Sequence, residues 1–301
     1  MRTAFINELI EQARLHPEIF LVVGDLGFSV IEPFATEFPD RYLNAGIAEQ
    51  NMTGVAAGLA SEGYHVFTYS IANFPTLRCL EQIRNDICYH NLPVTVVAVG
   101  GGLAYGNLGY SHHAVQDLAI LRTLPNLTLL APGDPGEARE CVSWLAQNPR
   151  PSYLRIGKAG EKTLHEVRGI SEHPLLIRRG TEDIAIVSTG GILDEAISAA
   201  DALAKDGLRV SVYSMPWLKP LNTQSLSTLT RYRALVAVEE HVTQGGLAAA
   251  LRENLPCHLP IHSISVSESI SSKVGTQAFL RHEAGISAAN IKSLYRSLFS
   301  E

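Results

Sequence analysis

The stretch from Asn44 to Leu59 constrains the fold most, because it joins a glycine turn to a helix built largely of small residues. Its apolar side chains recur with the helical period and give the helix one face for burial: Ala48, Met52, Val55, Ala56 and Leu59. Two glycines, Gly54 and Gly58, would let another backbone approach closely. Glu49 is the single carboxylate of the stretch and falls in the first helical turn. An acid at this position can simply complement the helix dipole, so position alone does not assign it a role.

Strands and helices alternate along the chain, which predicts an α/β fold of two doubly wound domains with mainly parallel sheets. We predict a first domain over residues 1–160, a linker over 161–181 and a second domain over 182–301. The apolar runs Ile19–Val23 and Val94–Val99 predict buried strands of the first domain. A glycine-rich loop follows the second run. Ligands bind at the carboxyl ends of strands in open sheets of this kind, so this loop is a candidate binding region.

The alternation resumes in the second domain, and no internal repeat relates it to the first. In chain order we expect strand 184–187, helix 192–206, strand 208–213, helix 222–231, strand 234–239, helix 244–255 and helix 286–299. The 301 residues, 46% of them hydrophobic, are enough to bury the cores of two such domains.

Composition excludes several classes of function. The net charge is -6 and the pI is about 6.0, so the chain lacks the basic surface expected for binding nucleic acid or an anionic membrane. No segment reaches the roughly 18 apolar residues of a membrane helix, and the first 20 residues do not form a signal peptide. Four cysteines without close pairing predict buried, reduced thiols in a cytoplasmic protein rather than a metal site: Cys79, Cys88, Cys141 and Cys257.

The run Gly-Ile-Ala-Glu-Gln-Asn-Met (46–52), followed by Gly-Val-Ala-Ala-Gly-Leu-Ala (54–60), resembles a segment of the transketolase family. In that family this segment binds the aminopyrimidine ring of thiamine diphosphate. The resemblance implies that Glu49 binds the cofactor and is catalytic, because a carboxyl group that exchanges a proton with ring atom N1′ activates the cofactor. An apolar helix face would keep water away from this pair and strengthen the hydrogen bond.

The resemblance covers nearly the whole chain but only two of the three transketolase domains. The third domain carries the Gly-Asp-Gly to Asn motif that holds Mg²⁺ and the diphosphate. The nearest matches here, Gly24-Asp25-Leu26 and Gly133-Asp134-Pro135, do not fit that motif. The chain therefore resembles the C-terminal subunit of a split transketolase, and we expect no metal ligands in it. An N-terminal partner subunit, in an α2β2 assembly, would supply the Mg²⁺ and diphosphate sites.

Several residues match family positions that bind sugar phosphate or lie near the cofactor. Arg2 and Ser29 correspond to residues that hold the acceptor phosphate, and Asp25 to a residue close to the cofactor. An arginine fork and a hydroxyl group make a good phosphate clamp. A terminal arginine and a loop serine can also lack such a role. Lys158 or Arg155 corresponds to a further phosphate-binding cation, or is a solvated charge.

The glycine-rich loop ends at Ser-His-His, and a transketolase histidine at the position of His112 binds the donor near its reactive carbon. The resemblance implies that His112 is catalytic and binds substrate, with His113 as the adjacent candidate. Histidine suits this task because it donates or accepts a proton near neutral pH. Two residues depart from the family: Leu108 replaces an aspartate and Gly100 replaces a histidine found in many members. We therefore expect donor recognition to differ.

The aromatic pocket of the family also differs here. Ala72 and Pro75 stand at the usual phenylalanine positions, and either Phe74 or Tyr69 could pack on the pyrimidine ring instead. Arg78 lies in the helix that follows. It could line the cofactor site or a dimer interface.

Together these residues imply a transferase that moves a two-carbon ketol unit between sugar phosphates or related polyols. One alternative is the beta subunit of a 2-oxo-acid dehydrogenase decarboxylase component, which shares this architecture. The run 46–52 and Arg2 fit transketolase better. Another alternative is a catalytically silent interaction subunit. The retained Glu49 argues against it.

Overall fold

The computed structural model describes residues 1–299. Helices and strands alternate through the first half of the chain. In chain order they are α1 (Arg2–Leu15), β1 (Ile19–Val23), α2 (Glu32–Glu37), β2 (Tyr42–Asn44), α3 (Glu49–Ser61), β3 (His65–Ile71), α4 (Leu80–Gln82), β4 (Val94–Val99), α5 (Asp117–Arg122), β5 (Thr128–Leu130), α6 (Pro135–Gln147) and β6 (Ser152–Ile156). A short π-helical segment, Ile83–Cys88, continues α4.

The second half repeats the alternation. In chain order its elements are β7 (Leu175–Arg178), β8 (Ile184–Thr189), α7 (Leu193–Lys205), β9 (Ser211–Ser214), β10 (Trp217–Lys219), β11 (Ala234–Val242), α8 (Leu247–Asn254), β12 (Ile261–Val266), α9 (Gln277–Glu283) and α10 (Ala288–Phe299).

Two sheets organise these elements. The first has seven strands in the order β10-β5-β6-β4-β3-β1-β2, and only β10 runs antiparallel to its neighbour. The second has five strands in the order β12-β11-β8-β9-β7, and only β7 runs antiparallel. The prediction of an α/β fold with two mainly parallel sheets is confirmed.

Alternating side chains of the first sheet fill two helical layers. Leu21 and Phe67 point to the face covered by α1 and α6, whereas Val22 and Val66 point to the face covered by α3. The layer on the α3 side continues into the second half of the chain through buried residues such as Leu247. One apolar core therefore joins the two halves.

Four elements of the second half were absent from the sequence predictions: β7, β10, β12 and α9. The predicted linker, residues 161–181, contains β7, which pairs with β9 in the second sheet. β10 crosses back to the edge of the first sheet, where Trp217 packs edge-on against Trp144 with ring centroids 4.7 Å apart. β12 and α9 were not predicted. The residues of β12 are mostly half-buried, so this edge strand lacks the apolar run that marks a buried strand.

The predicted helix over 222–231 is wrong. Only one 3₁₀ turn, Ser227–Leu229, forms in this segment. The Asn222 side-chain oxygen accepts from Ser225 N at 2.8 Å, and Ser225 Oγ donates to Asn222 O at 2.9 Å. Local side-chain bonds of this kind compete with the hydrogen-bonding pattern of a helix.

The cysteine prediction holds for three of the four thiols. Cys79, Cys88 and Cys141 are buried and free, but Cys257 is exposed. Within residues 1–299, none of the helices has the length and apolar character needed to cross a membrane.

Candidate functional site

Glu49 is the first residue of α3 and is only 2% exposed. Ser70 Oγ donates to Glu49 Oε1 at 3.1 Å, and Arg78 Nη1 lies 2.8 Å from Oε2. Gly24, directly after β1, lies beside this pair, since a Cβ there would lie 3.3 Å from Ser70 Oγ and 3.5 Å from Glu49 Cγ. The carboxyl group of α3 is therefore held by two side chains, one on β3 and one shortly before α4.

The Glu49 carboxyl group lies beneath Arg78, beside a surface opening. A surface opening at the start of α3 is lined by Ile47, Gln50, Asn51 and Arg78 together with Glu49 itself. The Arg78 side chain is about half exposed, at 48%, while the Glu49 side chain is at 1%. A ligand that enters here meets the oxygen that Arg78 now holds, because Ser70 contacts the other one.

Three side chains extend from Arg78 and form what we call the aromatic row: Phe74, His112 and Tyr105. The Arg78 guanidinium lies 4.6 Å from the Phe74 ring centroid. The Phe74 and His112 centroids are 5.2 Å apart in an edge contact, and those of His112 and Tyr105 are 6.3 Å apart. Contacts therefore run without a break from Glu49 to Tyr105.

Tyr69 lies on the other face of the first sheet. Neighbouring residues of a strand point to opposite faces, so Ser70 meets Glu49 while Tyr69 stacks on Phe5 with centroids 5.6 Å apart. Tyr69 is fully buried, and burial raises its pKa. The interpretation of Tyr69 as a ring that packs beside Glu49 is not compatible with this geometry. Phe74 is the candidate that remains.

Tyr105 explains one of the two departures from the family pattern. Gly100 has φ +78°, and a Cβ there would lie 2.1 Å from Tyr105 Cε2. The tyrosine ring therefore fills the space that a side chain at position 100 would need. Sequence reasoning missed Tyr105. Its place in a glycine-rich loop at a strand end was the available signal. Leu108, the other departure, is 57% exposed.

Arg2 and Lys158 both lie near Tyr105. Lys158 is exposed, with Nζ 4.8 Å from the Tyr105 ring centroid. Burial raises the pKa of Tyr105, and the nearby charge of Arg2 opposes that rise. Two cations thus meet at the end of the aromatic row, an arrangement that suits an anionic group.

Arg155 is occupied inside the protein and is only 4% exposed. Its Nε lies 3.0 Å from Asp117 Oδ2. Its Nη2 donates to Ala114 O at 2.7 Å and to Glu240 O at 3.0 Å. Of the two cations that the sequence left open, Lys158 is thus the exposed one, whereas the Arg155 guanidinium is engaged by groups of the protein.

Asp25 and Ser29 lie on the loop after β1, and both have positive φ, at 54° and 65°. Asn44 Nδ2 donates to Asp25 Oδ1 at 2.9 Å. Ser29 N donates to Glu32 Oε1 at 2.7 Å, next to the start of α2. These contacts shape the loop.

The two adjacent histidines have different surroundings. His112 is half-buried, and its Nδ1 lies 3.0 Å from Ser111 Oγ. Burial lowers the pKa of His112. His113 is 1% exposed, packs edge-on against Tyr110, and also has its pKa lowered by burial. His112 is thus the histidine that belongs to the aromatic row.

A separate cavity of about 480 Å³ lies between the two halves of the chain. Its lining includes Arg155, Asp194, Glu240 and Arg281, but not Glu49 or any member of the aromatic row. Within the described residues, no group of three or more histidine, cysteine, aspartate or glutamate side chains is arranged to hold a metal ion.

Comparisons with known proteins agree with the architecture. Residues 1–160 match the family model for the transketolase pyrimidine binding domain, and residues 174–291 match the one for the transketolase C-terminal domain. The second match begins just before β7, consistent with its place in the second sheet.

Curated relatives include two proteins that are each named as one subunit of an apulose-4-phosphate transketolase. The one from Phocaeicola vulgatus is 33% identical over 273 residues, covering 89% of this chain and 87% of the relative. The one from Actinobacillus succinogenes is 31% identical over 300 residues, covering 97% and 96%. A 1-deoxy-D-xylulose-5-phosphate synthase from Thermomicrobium roseum is 35% identical over 299 residues, and the chain spans 47% of its length.

Solved structures show the same fold. A chain described as a split gene transketolase, inactive beta4 tetramer, superposes with a TM-score of 0.87 at 32% identity, covering 99% of this chain and 97% of that one. A transketolase mutant from Pichia stipitis gives a TM-score of 0.81 at 18% identity, covering 99% of this chain and 46% of that one. The second comparison supports the assignment of the fold alone.

The lowered pKa of His112 gives a test of the site's electrostatics. Because burial disfavours the charged imidazolium, we expect His112 to be neutral at pH 7 and to take up a proton only below the ordinary histidine value of about 6.5. An NMR titration of its ring proton, assigned with a His112→Gln variant, measures the midpoint. A midpoint above the ordinary value would show that a charged neighbour outweighs burial.

Proposed function

This chain belongs to the transketolase family, and we propose that it is the C-terminal subunit of a thiamine-diphosphate-dependent transketolase. Its reaction transfers a two-carbon ketol unit between sugar phosphates or related polyols. The observation that carries the proposal is the buried Glu49 carboxyl group, with Ser70 on one oxygen and the half-exposed Arg78 on the other. A carboxyl group shielded from water can exchange a proton with a ring nitrogen.

The residues around Glu49 fit the aminopyrimidine end of the cofactor. Glu49 would hold the ring nitrogen, and Phe74 offers an aromatic face near Arg78. Met52 and Ala56, both fully buried, form the apolar side of α3 that excludes water. When bound, thiamine diphosphate supplies the nucleophilic carbon that carries the two-carbon unit. The task of Glu49 is to exchange the proton that prepares the cofactor for this.

We assign donor binding to His112. A neutral imidazole donates a hydrogen bond through one ring nitrogen and accepts through the other, so it can bind a hydroxyl or a carbonyl oxygen. Ser111 Oγ, 3.0 Å from Nδ1, orients the ring and leaves Nε2 for the substrate. His113 is buried against Tyr110 and supports the loop in this proposal.

We assign the substrate phosphate to Arg2 and Lys158, the two cations beside Tyr105. Arginine binds phosphate oxygens in pairs, and lysine adds a mobile point charge. Ser29 and Asp25, on the loop after β1, are the further candidates for the phosphate and the cofactor respectively.

The proposal requires a partner subunit, since the chain lacks a Gly-Asp-Gly motif for Mg²⁺ and diphosphate. Two relatives are named as single subunits of a transketolase, and one similar structure is titled an inactive beta4 tetramer. Ile47, which lines the opening at the start of α3, is 79% exposed, and Leu77, next to Arg78 in the sequence, is 39% exposed; both offer apolar surface for such a partner. We infer an α2β2 assembly, in which the partner completes the cofactor site.

Partner dependence is the direct test of this proposal. The purified chain should show no ketol transfer even with saturating thiamine diphosphate and Mg²⁺, and addition of the N-terminal subunit should restore it. Turnover is measured by release of the aldose product, with the N-terminal subunit alone as control. Robust transfer by this chain alone would contradict the split-subunit assignment, and turnover of 2-oxo acids by the complex would favour the dehydrogenase alternative.

Donor preference follows from Leu108 and from the Tyr105 ring over Gly100. The assembled enzyme should use xylulose 5-phosphate poorly compared with a transketolase that has aspartate and histidine at these positions. Leu108→Asp should raise kcat/KM for this donor by about 10-fold, the effect of one hydrogen bond to a charged group. Leu15→Asp, at another exposed leucine at the end of α1, is the control. If the wild-type enzyme has the same kcat/KM for xylulose 5-phosphate as a transketolase with aspartate and histidine at these positions, Leu108 and Gly100 do not affect donor recognition.

A further inference from the structure

Residues 103–113, which we call the histidine loop, carry His112 and Tyr105. The loop is closed at its base by two backbone hydrogen bonds: Gly102 N donates to Ala114 O at 2.9 Å, and Ala114 N donates to Gly102 O at 2.8 Å. Because both ends are pinned together, the position of His112 depends on what holds the loop from outside.

From the first half of the chain, Asn73 holds the backbone at the end of the loop nearest His112. Asn73 Nδ2 donates to Ser111 O at 3.1 Å and to His113 O at 2.8 Å. The start of the loop is held by a residue of the second half.

That residue is Glu240, on β11, which is 3% exposed. Leu103 N, the first amide of the histidine loop, donates to Glu240 Oε1 at 2.7 Å. The close approach of the Glu240 side chain to the loop requires a glycine at position 102, since a Cβ there would lie 2.7 Å from Glu240 Cγ. A buried carboxylate that accepts a backbone N–H makes a strong, charge-assisted bond. Glu240 thus fixes the loop where it leaves the sheet.

Glu240 is itself held from the side away from the loop. Arg281 donates to Glu240 Oε2 through Nε at 3.1 Å and Nη2 at 2.8 Å. Gln277 Nε2 donates to Oε1 at 2.9 Å. Arg281 is anchored in turn by Gly191 O at 2.7 Å and by Asp194 Oδ1 at 3.0 Å. The buried charges are therefore paired, and the carboxyl group has one orientation.

The segment around α9 supports the loop at a second point. Gly275 N donates to Gly106 O at 3.2 Å. A Cβ on Gly106 would lie 2.2 Å from Leu280 Cδ1, so loop backbone and α9 side chain are in close contact. Gln277 and Arg281, which hold Glu240, belong to the same helix.

We propose that Glu240 is a positioning residue for ketol transfer. It fixes the histidine loop and thereby sets where the His112 ring meets the donor, so the C-terminal half of the chain takes part in building the donor site. This inference rests on the proposed function, in which His112 binds the donor. A displacement of about 1 Å can cost on the order of 100-fold in rate, so a loosened loop should slow transfer without harming steps that depend on Glu49.

The neighbouring carboxylate provides a matched control. Glu239 is equally buried, but it accepts from Leu247 N at 2.6 Å and Ala248 N at 3.1 Å, at the start of α8. It stabilises the second half without touching the histidine loop. Glu239→Ala therefore shows what loss of a buried carboxylate does when the loop is not involved.

The experiment compares Glu240→Ala and Glu239→Ala in the chain assembled with its N-terminal subunit. Three quantities are measured: amide hydrogen exchange of the histidine loop, proton exchange at the thiazolium C2 of bound thiamine diphosphate, and kcat for ketol transfer. For Glu240→Ala we expect faster amide exchange in the histidine loop, unchanged C2 exchange and a fall in kcat of about 10- to 100-fold. In a chain that already carries His112→Ala, Glu240→Ala should cause no further loss of kcat. Glu239→Ala should keep its kcat per folded complex.

Other results would overturn the proposal. A wild-type kcat in Glu240→Ala would show that the loop does not need this anchor. An equal loss of kcat and C2 exchange would show a general folding defect. Should Glu240→Ala not fold, Glu240→Gln decides, because one amide oxygen cannot accept from both Leu103 N and Arg281. Its kcat should fall in step with faster amide exchange of the histidine loop, and a change in one without the other would overturn the proposal. A wild-type complex that exchanges C2 but transfers no ketol unit would instead contradict the proposed function, while loop exchange would still report on the Glu240 contact.

Discussion

A buried carboxyl group at the start of a helix is the constraint on which the rest of the site depends. Removing a carboxylate from water is costly unless partners replace the lost hydration. Glu49 obtains such partners from Ser70 on β3 and from Arg78 before α4, and Gly24 after β1 lies beside them. The parallel sheet makes this possible, because the carboxyl ends of its strands bring the three segments to one edge. The aromatic row extends from that edge.

The two halves of the chain cooperate at this edge. Arg155 on β6 lies 3.0 Å from Asp117 on α5 and donates to Glu240 O on β11, so one buried cation connects both sheets. The apolar layer beneath α3 also includes residues of the second half. Under our proposals, the first half supplies the groups that meet cofactor and substrate, and the second half orients the loop that carries one of them.

Much of the fold and of the candidate site was predictable from the sequence. The features that were not predicted were missed for physical reasons. The runs Ile19–Val23 and Val94–Val99 predicted their strands with correct bounds, since both are buried on two faces. The alternation within β3 could also have separated Tyr69 from Ser70. The contact of Tyr105 with Gly100 could not be predicted, because it depends on how an irregular loop folds back. β10 was not predicted because its partner strand, β5, lies about 90 residues earlier in the sequence.

The account as a whole depends on whether Glu49 exchanges a proton with the cofactor. The most direct measurement is proton exchange at the thiazolium C2 in the assembled complex, comparing Glu49→Gln with wild type and with Glu62→Gln, an exposed change at the other end of α3. Glutamine keeps the size of the side chain but cannot exchange a proton. The account predicts that Glu49→Gln slows exchange by about 10² to 10⁴ while Glu62→Gln leaves it unchanged. Wild-type exchange in Glu49→Gln would show that Glu49 serves only the helix, and would contradict the account.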